Sequence, residues 1–210
     1  MDKHYSKKFS ELSLTWLELI LVVPAHYFYR TWGVVQCILF SSVIGAYHYN
    51  EMLENLNFLT IQTPITFTQK FRLGLVFMFL IAFALLGTVI TTQSLKYTLR
   101  RKRPEHNKNV ARFKNCLRET EEGTYSMPSG DSTAAGLYCF ILCHVAGMQW
   151  IYLLLPLVMM GRVYYHCHWF GDTIIGAVMG TAWGFVAKTY FFLLLPFAKF
   201  VAGPGTFVPA

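Results

Sequence analysis

Charged residues are scarce in this chain. Aspartate, glutamate, lysine and arginine make up 14% of its 210 residues, whereas soluble domains usually carry about 25%. Hydrophobic residues make up 54%, so the composition argues against an ordinary soluble domain and favours a membrane protein. The formal net charge is +7. Because the basic residues lie between apolar segments, we expect contact with anionic lipid or a phosphorylated substrate and no nucleic-acid partner.

The chain also lacks the cysteine spacing of a zinc site or a disulfide framework. None of its five cysteines forms a Cys-x-x-Cys pair, and most lie in or beside apolar runs, as small buried residues do. We therefore predict no cofactor. The first apolar stretch is not followed by a small-residue cleavage site, so it is interpreted as a membrane anchor and not a removed signal peptide.

Six apolar stretches approach the length of about 20 residues that a helix needs to cross a bilayer. They predict an all-α integral membrane bundle of six transmembrane helices. The prediction is one domain, residues 1–210, with its motif-bearing core at about 73–197. The spans are expected near Leu14–Tyr29, Val34–Tyr49, Leu73–Thr92, Thr133–Gly147, Trp150–Tyr165 and Thr173–Phe197.

Six spans put both termini on one side of the membrane. The loops after the third and fifth spans, and the start of the fourth, then share the opposite side. Three polar clusters lie in these places, so we expect them to form one site. The excess of lysine and arginine on that side favours a cytosolic site by the positive-inside rule, although cations that bind phosphate would bias this count.

The first cluster is Lys96, followed after six residues by Arg103 and Pro104. On a helix leaving the membrane, positions seven apart lie on the same face, and Pro104 would end that helix. A lysine and an arginine together can bind a multiply charged anion such as phosphate. A basic segment that touches anionic lipid headgroups is an equally good interpretation of these two residues.

The second cluster, Pro128-Ser129-Gly130-Asp131, leads into the fourth span. A Ser-Gly turn that opens a helix presents free backbone N–H groups and the positive end of the helix dipole to an anion. Ser129 adds a hydroxyl donor. Taken alone, the segment fits an ordinary helix N-cap better than an anion site.

The third cluster contains Arg162, His166, His168 and Asp172. His168 and Asp172 are four residues apart and would be neighbours on a helix. A carboxylate on one ring nitrogen would leave the other nitrogen of His168 as a nucleophile or base. A metal site built from the two histidines and Asp172 is the alternative, but the surrounding cations disfavour it, and we predict none.

Together the clusters resemble the type 2 phosphatidic acid phosphatase superfamily, whose pattern is Lys-x6-Arg-Pro, Pro-Ser-Gly-His and Ser-Arg-x5-His-x3-Asp. The resemblance implies metal-independent hydrolysis of a lipid phosphate or lipid diphosphate, with His168 forming a phosphohistidine and Asp172 orienting it. It further implies an integral, multi-pass protein of the endoplasmic reticulum or another internal membrane, with the site on the lumenal or external side. The residues implied to bind phosphate are Lys96, Arg103, Ser129, Gly130 and Arg162.

Asp131 departs from the family pattern, which has a histidine there as the general acid. An aspartic acid ordinarily has a pKa of about 3.9, so it is a poor proton donor near neutral pH. A lipid diphosphate, whose leaving group is itself a phosphate, would need little protonation. The alternatives are a catalytically weak or inactive lipid-binding membrane subunit, a lipid phosphotransferase, or His166 acting as the acid.

Overall fold

The computed structural model describes residues 2–11, 15–27, 31–48, 52, 55, 58–59, 66–105, 124–190 and 208–209. The described part is helical apart from two-residue strands β1 (Phe58–Leu59) and β2 (Val208–Pro209), which pair antiparallel. A 3-10 helix, Gln149–Leu153, precedes α6. The α-helices are α1 Asp2–Ser10, α2 Thr15–Tyr27, α3 Thr31–Tyr47, α4 Phe67–Leu99, α5 Gly130–His144, α6 Leu154–Tyr164 and α7 Phe170–Thr189.

The predicted all-helical fold is confirmed, while the count of six spans is not. Each predicted span overlaps one helix from α2 to α7, and the part of the sixth beyond Tyr190 lies outside the described residues. By length and composition, two described helices could cross a membrane, α4 and α7. Trp16–Ala25 and Val35–Tyr47 are apolar but shorter. Helices α5 and α6 have 15 and 11 residues, below the usual span length of about 20.

The longest helix, α4, has clear signals at both ends. At its start the Thr66 hydroxyl accepts a hydrogen bond from the Gln69 N–H, and the Gln69 side chain accepts one from the Thr66 N–H. This capping box satisfies two N–H groups that the helix leaves open. At its end Arg100 has a φ of 49° and its N–H bonds to the Lys96 carbonyl. The helix therefore ends at Leu99, and the chain turns there.

Glycines bring α5 and α7 into backbone contact. A Cβ atom on Gly180 would lie 1.9 Å from the Thr133 carbonyl oxygen, and one on Gly176 would lie 2.5 Å from the Ser129 carbonyl oxygen. Small residues spaced by four allow such close approach between helices in membranes. As a result the first turns of α5 and α7 lie side by side, and the Ser129 N–H donates to the Asp172 carbonyl over 3.0 Å.

Helix α1 lies at the same end of the bundle as the start of α7. Asp2 Oδ1 accepts a hydrogen bond from the Gly171 N–H at 2.9 Å, and Ser6 Oγ accepts one from the Phe170 N–H at 3.0 Å. The six-span layout put the N-terminus at the end opposite the polar clusters, and this expectation is wrong. The physical reason is that the first turn of α7 has open N–H groups, which the side chains of α1 satisfy.

Helices α2 and α3 lead away from that end in succession. The Tyr165 hydroxyl donates to the Glu18 carbonyl over 3.2 Å, which fixes the start of α2 near the end of α6. Asn55, which follows α3, donates to the Val145 carbonyl at the far end of α5. Helix α2 packs on α6 and α3 packs on α4. The two N-terminal helices therefore make one passage along the bundle, not the two that the sequence predicted.

Candidate active site

His168 lies in the short connection between α6 and α7, with 1% of its surface exposed. Its Nδ1 atom is 2.7 Å from the Ser126 carbonyl oxygen. Since a carbonyl only accepts hydrogen bonds, Nδ1 carries the proton and Nε2 has the lone pair. The Arg103 Nη1 group lies 3.2 Å from Nε2. The ring is thus held in one tautomer with its basic nitrogen facing a cation.

Burial is the largest cause that holds the pKa of His168 well below its ordinary value of 6.5. The positive charges of Arg103, Arg162 and Lys96 act in the same direction. The hydrogen bond to Ser126 acts against them and is weaker. The imidazole is therefore neutral near pH 7, which is the state that a nucleophile or base requires.

Arg103 is fixed by several oxygen atoms. Its Nη1 group donates to the Cys167 carbonyl at 2.6 Å, and its Nε and Nη2 groups donate to the Thr124 hydroxyl at 3.0 and 2.8 Å. The planar guanidinium thus lies beside His168 with its orientation set from two sides. The first and third sequence clusters meet at this contact, as predicted.

Asp172 lies near His168 but does not bond to its ring. The distance from Asp172 Oδ2 to His168 Nδ1 is 3.9 Å, beyond hydrogen-bond length, and the Ser126 carbonyl takes the place that the sequence assigned to Asp172. The Asp172 carboxylate instead accepts hydrogen bonds from the Trp169 N–H at 3.0 Å and from Arg101 Nη1 at 2.8 Å. Asp172 therefore shapes the turn that carries His168.

Asp131 and Arg162 form an ion pair. Asp131 Oδ2 lies 3.0 Å from Arg162 Nη2, with the arginine side chain fully buried and the aspartate side chain 13% exposed. The Arg162 carbonyl accepts the N–H groups of Cys167 and His168, at 3.1 and 3.2 Å. Arg162 therefore connects Asp131 of the second cluster to the turn that carries His168. A guanidinium at this distance stabilises the ionised carboxylate.

Ser129 is the N-cap of α5, and its hydroxyl accepts from the Ser132 N–H at 3.4 Å. Gly130 is the first residue of that helix, so the positive end of the α5 dipole lies at the site. Lys96 is half-buried one turn before the end of α4. The three clusters are brought to one end of the bundle, as the sequence predicted.

Two local expectations are wrong. Lys96 and Arg103 do not share a helix face, because α4 ends at Leu99 and the chain turns at Arg100. His168 and Asp172 are not on one helix either, because α7 begins at Phe170 after the N-cap Trp169. His168 and Asp172 are close because the turn between α6 and α7 leads directly into α7.

The motifs that carry these residues also match a known protein family. The family model described as PAP2 superfamily matches residues 77–195, which is more than half of the chain. The chain belongs to the PAP2 superfamily. All residues of the three sequence clusters lie within the matched range, whereas α1 lies outside it.

The fold of this PAP2 chain is similar to a solved structure titled "Crystal structure of the first transmembrane PAP2 type phosphatidylglycerolphosphate phosphatase from Bacillus subtilis". The TM-score is 0.60 and the sequence identity is 19%, over 92% of this chain and 85% of that chain. At this identity the likeness concerns the fold. No curated protein matches the chain in sequence.

Several residues that support the candidate site lie outside the three sequence clusters. Ser126 holds the His168 ring, Thr124 holds Arg103, and Arg101 bonds to Asp172. The sequence does contain one indication of the role of α1. Asp2 and Ser6 are four residues apart, so their polar side chains lie on the same side of a helix.

The described residues contain no group of three or more histidine, cysteine or acidic side chains placed to hold a metal ion. The metal-free character of the site stays a prediction. His166, the alternative acid, lines the same cavity as His168. It is 8% exposed and has a φ of 56°, which side chains rarely adopt.

Proposed function

We propose that this protein hydrolyses a lipid phosphate or lipid diphosphate at the membrane surface, without a metal ion and through a phosphohistidine at His168. The observation that carries the proposal is the fixed tautomer of His168. Its Nδ1 proton is bound by the Ser126 carbonyl and its Nε2 lone pair lies in a cationic site. A neutral, oriented imidazole is suited to attack phosphorus.

The cations around His168 would hold the phosphoryl oxygens. Arg103, Lys96 and Arg162 supply charge, while Ser129 and the Gly130 N–H supply donors at the start of α5. Such preorganised donors stabilise the charge that develops in phosphoryl transfer. Asp172 would act as a positioning residue, through the Trp169 N–H that it binds.

The ion pair with Arg162 bears on the role of Asp131. A carboxylate 3.0 Å from a buried guanidinium is a poor proton donor, because donation requires the protonated form. We therefore favour a lipid diphosphate as the substrate, since its leaving group is a phosphate that needs little protonation. Asp131 would act by orienting Arg162.

We further propose that the protein is one domain, residues 1–210, embedded through the six apolar helices α2–α7 as a multi-pass protein of the endoplasmic reticulum or another internal membrane. Apolar side chains on the outer faces of α4 and α7 support this. Phe83 is 60% exposed and Val178 is 64% exposed, which is costly in water. Because α2 and α3 share one passage along the bundle, these six helices would cross the membrane five times.

The proposal is tested by measuring phosphate release from lipid monophosphates and lipid diphosphates in mixed micelles containing a chelator. Wild-type protein should be active, and His168→Ala should lose more than about 1000-fold. His144→Ala, which alters a histidine at the opposite end of α5, is the matched control and should remain active. If wild-type protein is inactive on every lipid, the alternative of a lipid-binding membrane subunit is favoured, because the Asp131–Arg162 pair replaces the expected acid.

A further inference from the structure

The N-terminal helix α1 is attached to the start of α7 by its own side chains. Besides the bonds from Gly171 and Phe170 described above, the Asp2 carboxylate forms an ion pair with Arg101 at 2.5 Å. The same guanidinium donates to Asp172 at 2.8 Å. Helix α1 is therefore bonded to the residues that shape the His168 turn.

This attachment makes α1 one wall of the cavity that contains His168. The cavity has a volume of about 720 Å³, and Lys3 and Lys7 line it together with Arg103 and His168. Residues four apart lie on one face of a helix, so both lysines belong to the cavity face of α1. The Lys3 ammonium also lies 5.8 Å from the centre of the Trp169 ring.

The cavity is lined by more cations than carboxylates. Its lining carries four cations, from Lys3, Lys7, Lys102 and Arg103, against two carboxylates, from Glu11 and Glu105. Further charge comes from Lys96 and Arg162, whose fields reach His168. The inner cations can bind the phosphoryl group that His168 attacks. The lysines of α1 then remain as a second set of anion-binding groups in the same cavity.

We propose that Lys3 and Lys7 bind the phosphate that stays on the lipid when a lipid diphosphate is cleaved, so that α1 selects diphosphates over monophosphates. This rests on the proposed function. His168 Nε2 forms a bond to the terminal phosphorus, and the bond from that phosphorus to the bridging oxygen breaks. The electron pair stays on that oxygen, and the lipid monophosphate departs as an anion. Water then cleaves the N–P bond, which releases phosphate and regenerates His168.

The arrangement accounts for the aspartate at position 131. A leaving group that gains negative charge can be stabilised either by a proton or by nearby cations. Asp131 is engaged with Arg162, while Lys3 and Lys7 line the same cavity as His168. Cations on α1 therefore replace the proton that an acid histidine would supply.

The test compares farnesyl diphosphate with farnesyl monophosphate, which share one lipid chain, using the full-length protein in detergent. Lys3→Ala and Lys7→Ala should each lower kcat/KM for the diphosphate about two- to fivefold, and the double variant about tenfold, as expected for exposed charges. Hydrolysis of the monophosphate should change less than twofold. Lys8→Ala is the matched control, since Lys8 lies on α1 outside the cavity lining. Equal loss on both substrates, or no loss, overturns the inference.

A binding measurement separates this inference from the proposed function. In calorimetry with inorganic pyrophosphate, the double lysine variant should bind about tenfold more weakly than wild-type protein, while binding of inorganic phosphate is unchanged. If wild-type protein releases no phosphate but shows this pattern, the proposed hydrolysis fails and the lysine subsite stands. If pyrophosphate binding is the same in both proteins, the lysine subsite fails whatever the activity.

Discussion

Removing the charge of Asp131 should destabilise the protein and make it more responsive to phosphate. In Asp131→Asn a carboxylate that lies 3.0 Å from the fully buried Arg162 is lost. Breaking a buried ion pair costs about 3–5 kcal/mol. Because the Asp131 side chain is itself 13% exposed, we expect the lower end, about 3 kcal/mol. For a chain of this length that corresponds to a fall in Tm of about 6–12 °C.

The assay is thermal unfolding in detergent with and without inorganic phosphate. Phosphate brings negative charge back to the site, so it should raise the Tm of Asp131→Asn more than that of wild-type protein. Asp131→Glu keeps the charge and serves as the control, with a Tm nearer to wild type. Unfolding of Asp131→Asn at the wild-type temperature, or equal stabilisation of both proteins by phosphate, would show that Asp131 does not stabilise Arg162.

Three further predictions concern the ring of His168, the contact between α5 and α7, and the attachment of α1. Because the pKa of His168 is lowered, its imidazole stays neutral as the pH falls, and kcat/KM should decrease only well below pH 6.5. A decrease in kcat/KM that begins at or above pH 6.5 contradicts this. In Gly180→Ala the new Cβ would meet a backbone carbonyl of α5, so thermal unfolding should show a loss of about 1–3 kcal/mol of stability. Val178→Ala, on an exposed face of α7, is the control and should lose much less. Arg101→Ala should release α1, so limited proteolysis should cut within residues 2–11 faster than in wild-type protein; an unchanged rate contradicts the docking.

The type of fold and the residues of the site could be predicted from the sequence. Low charge and long apolar runs are properties of whole segments, so they indicate membrane helices without any knowledge of packing. The spacing of Lys96, Arg103, Arg162 and His168 singled out residues that the structure brings to one end of the bundle, because each motif is local. The meeting of the three clusters at one end was predicted from the number of helices between them along the chain. Helices α4 to α7 run along the bundle in the alternating directions that this prediction needs.

The geometry between motifs could not be predicted, because it depends on backbone atoms that a motif does not specify. The partner of His168 Nδ1 is the carbonyl of Ser126, and any residue at that position has a carbonyl. The end of α4 depends on Arg100 adopting a positive φ, which its side chain does not signal. The position of α1 depends on open N–H groups at Phe170 and Gly171, which are visible only once α7 is known to begin there.

A nucleophilic His168 becomes phosphorylated during turnover, and this phosphorylated protein can be trapped. Full-length protein is mixed with a lipid diphosphate in the presence of a chelator, quenched in base within the first turnovers, and digested for mass spectrometry. We expect an acid-labile phosphate on His168 that is absent from His168→Ala. Phosphate release by wild-type protein at full rate, with no phosphate on His168 under conditions that preserve phosphohistidine, would contradict it.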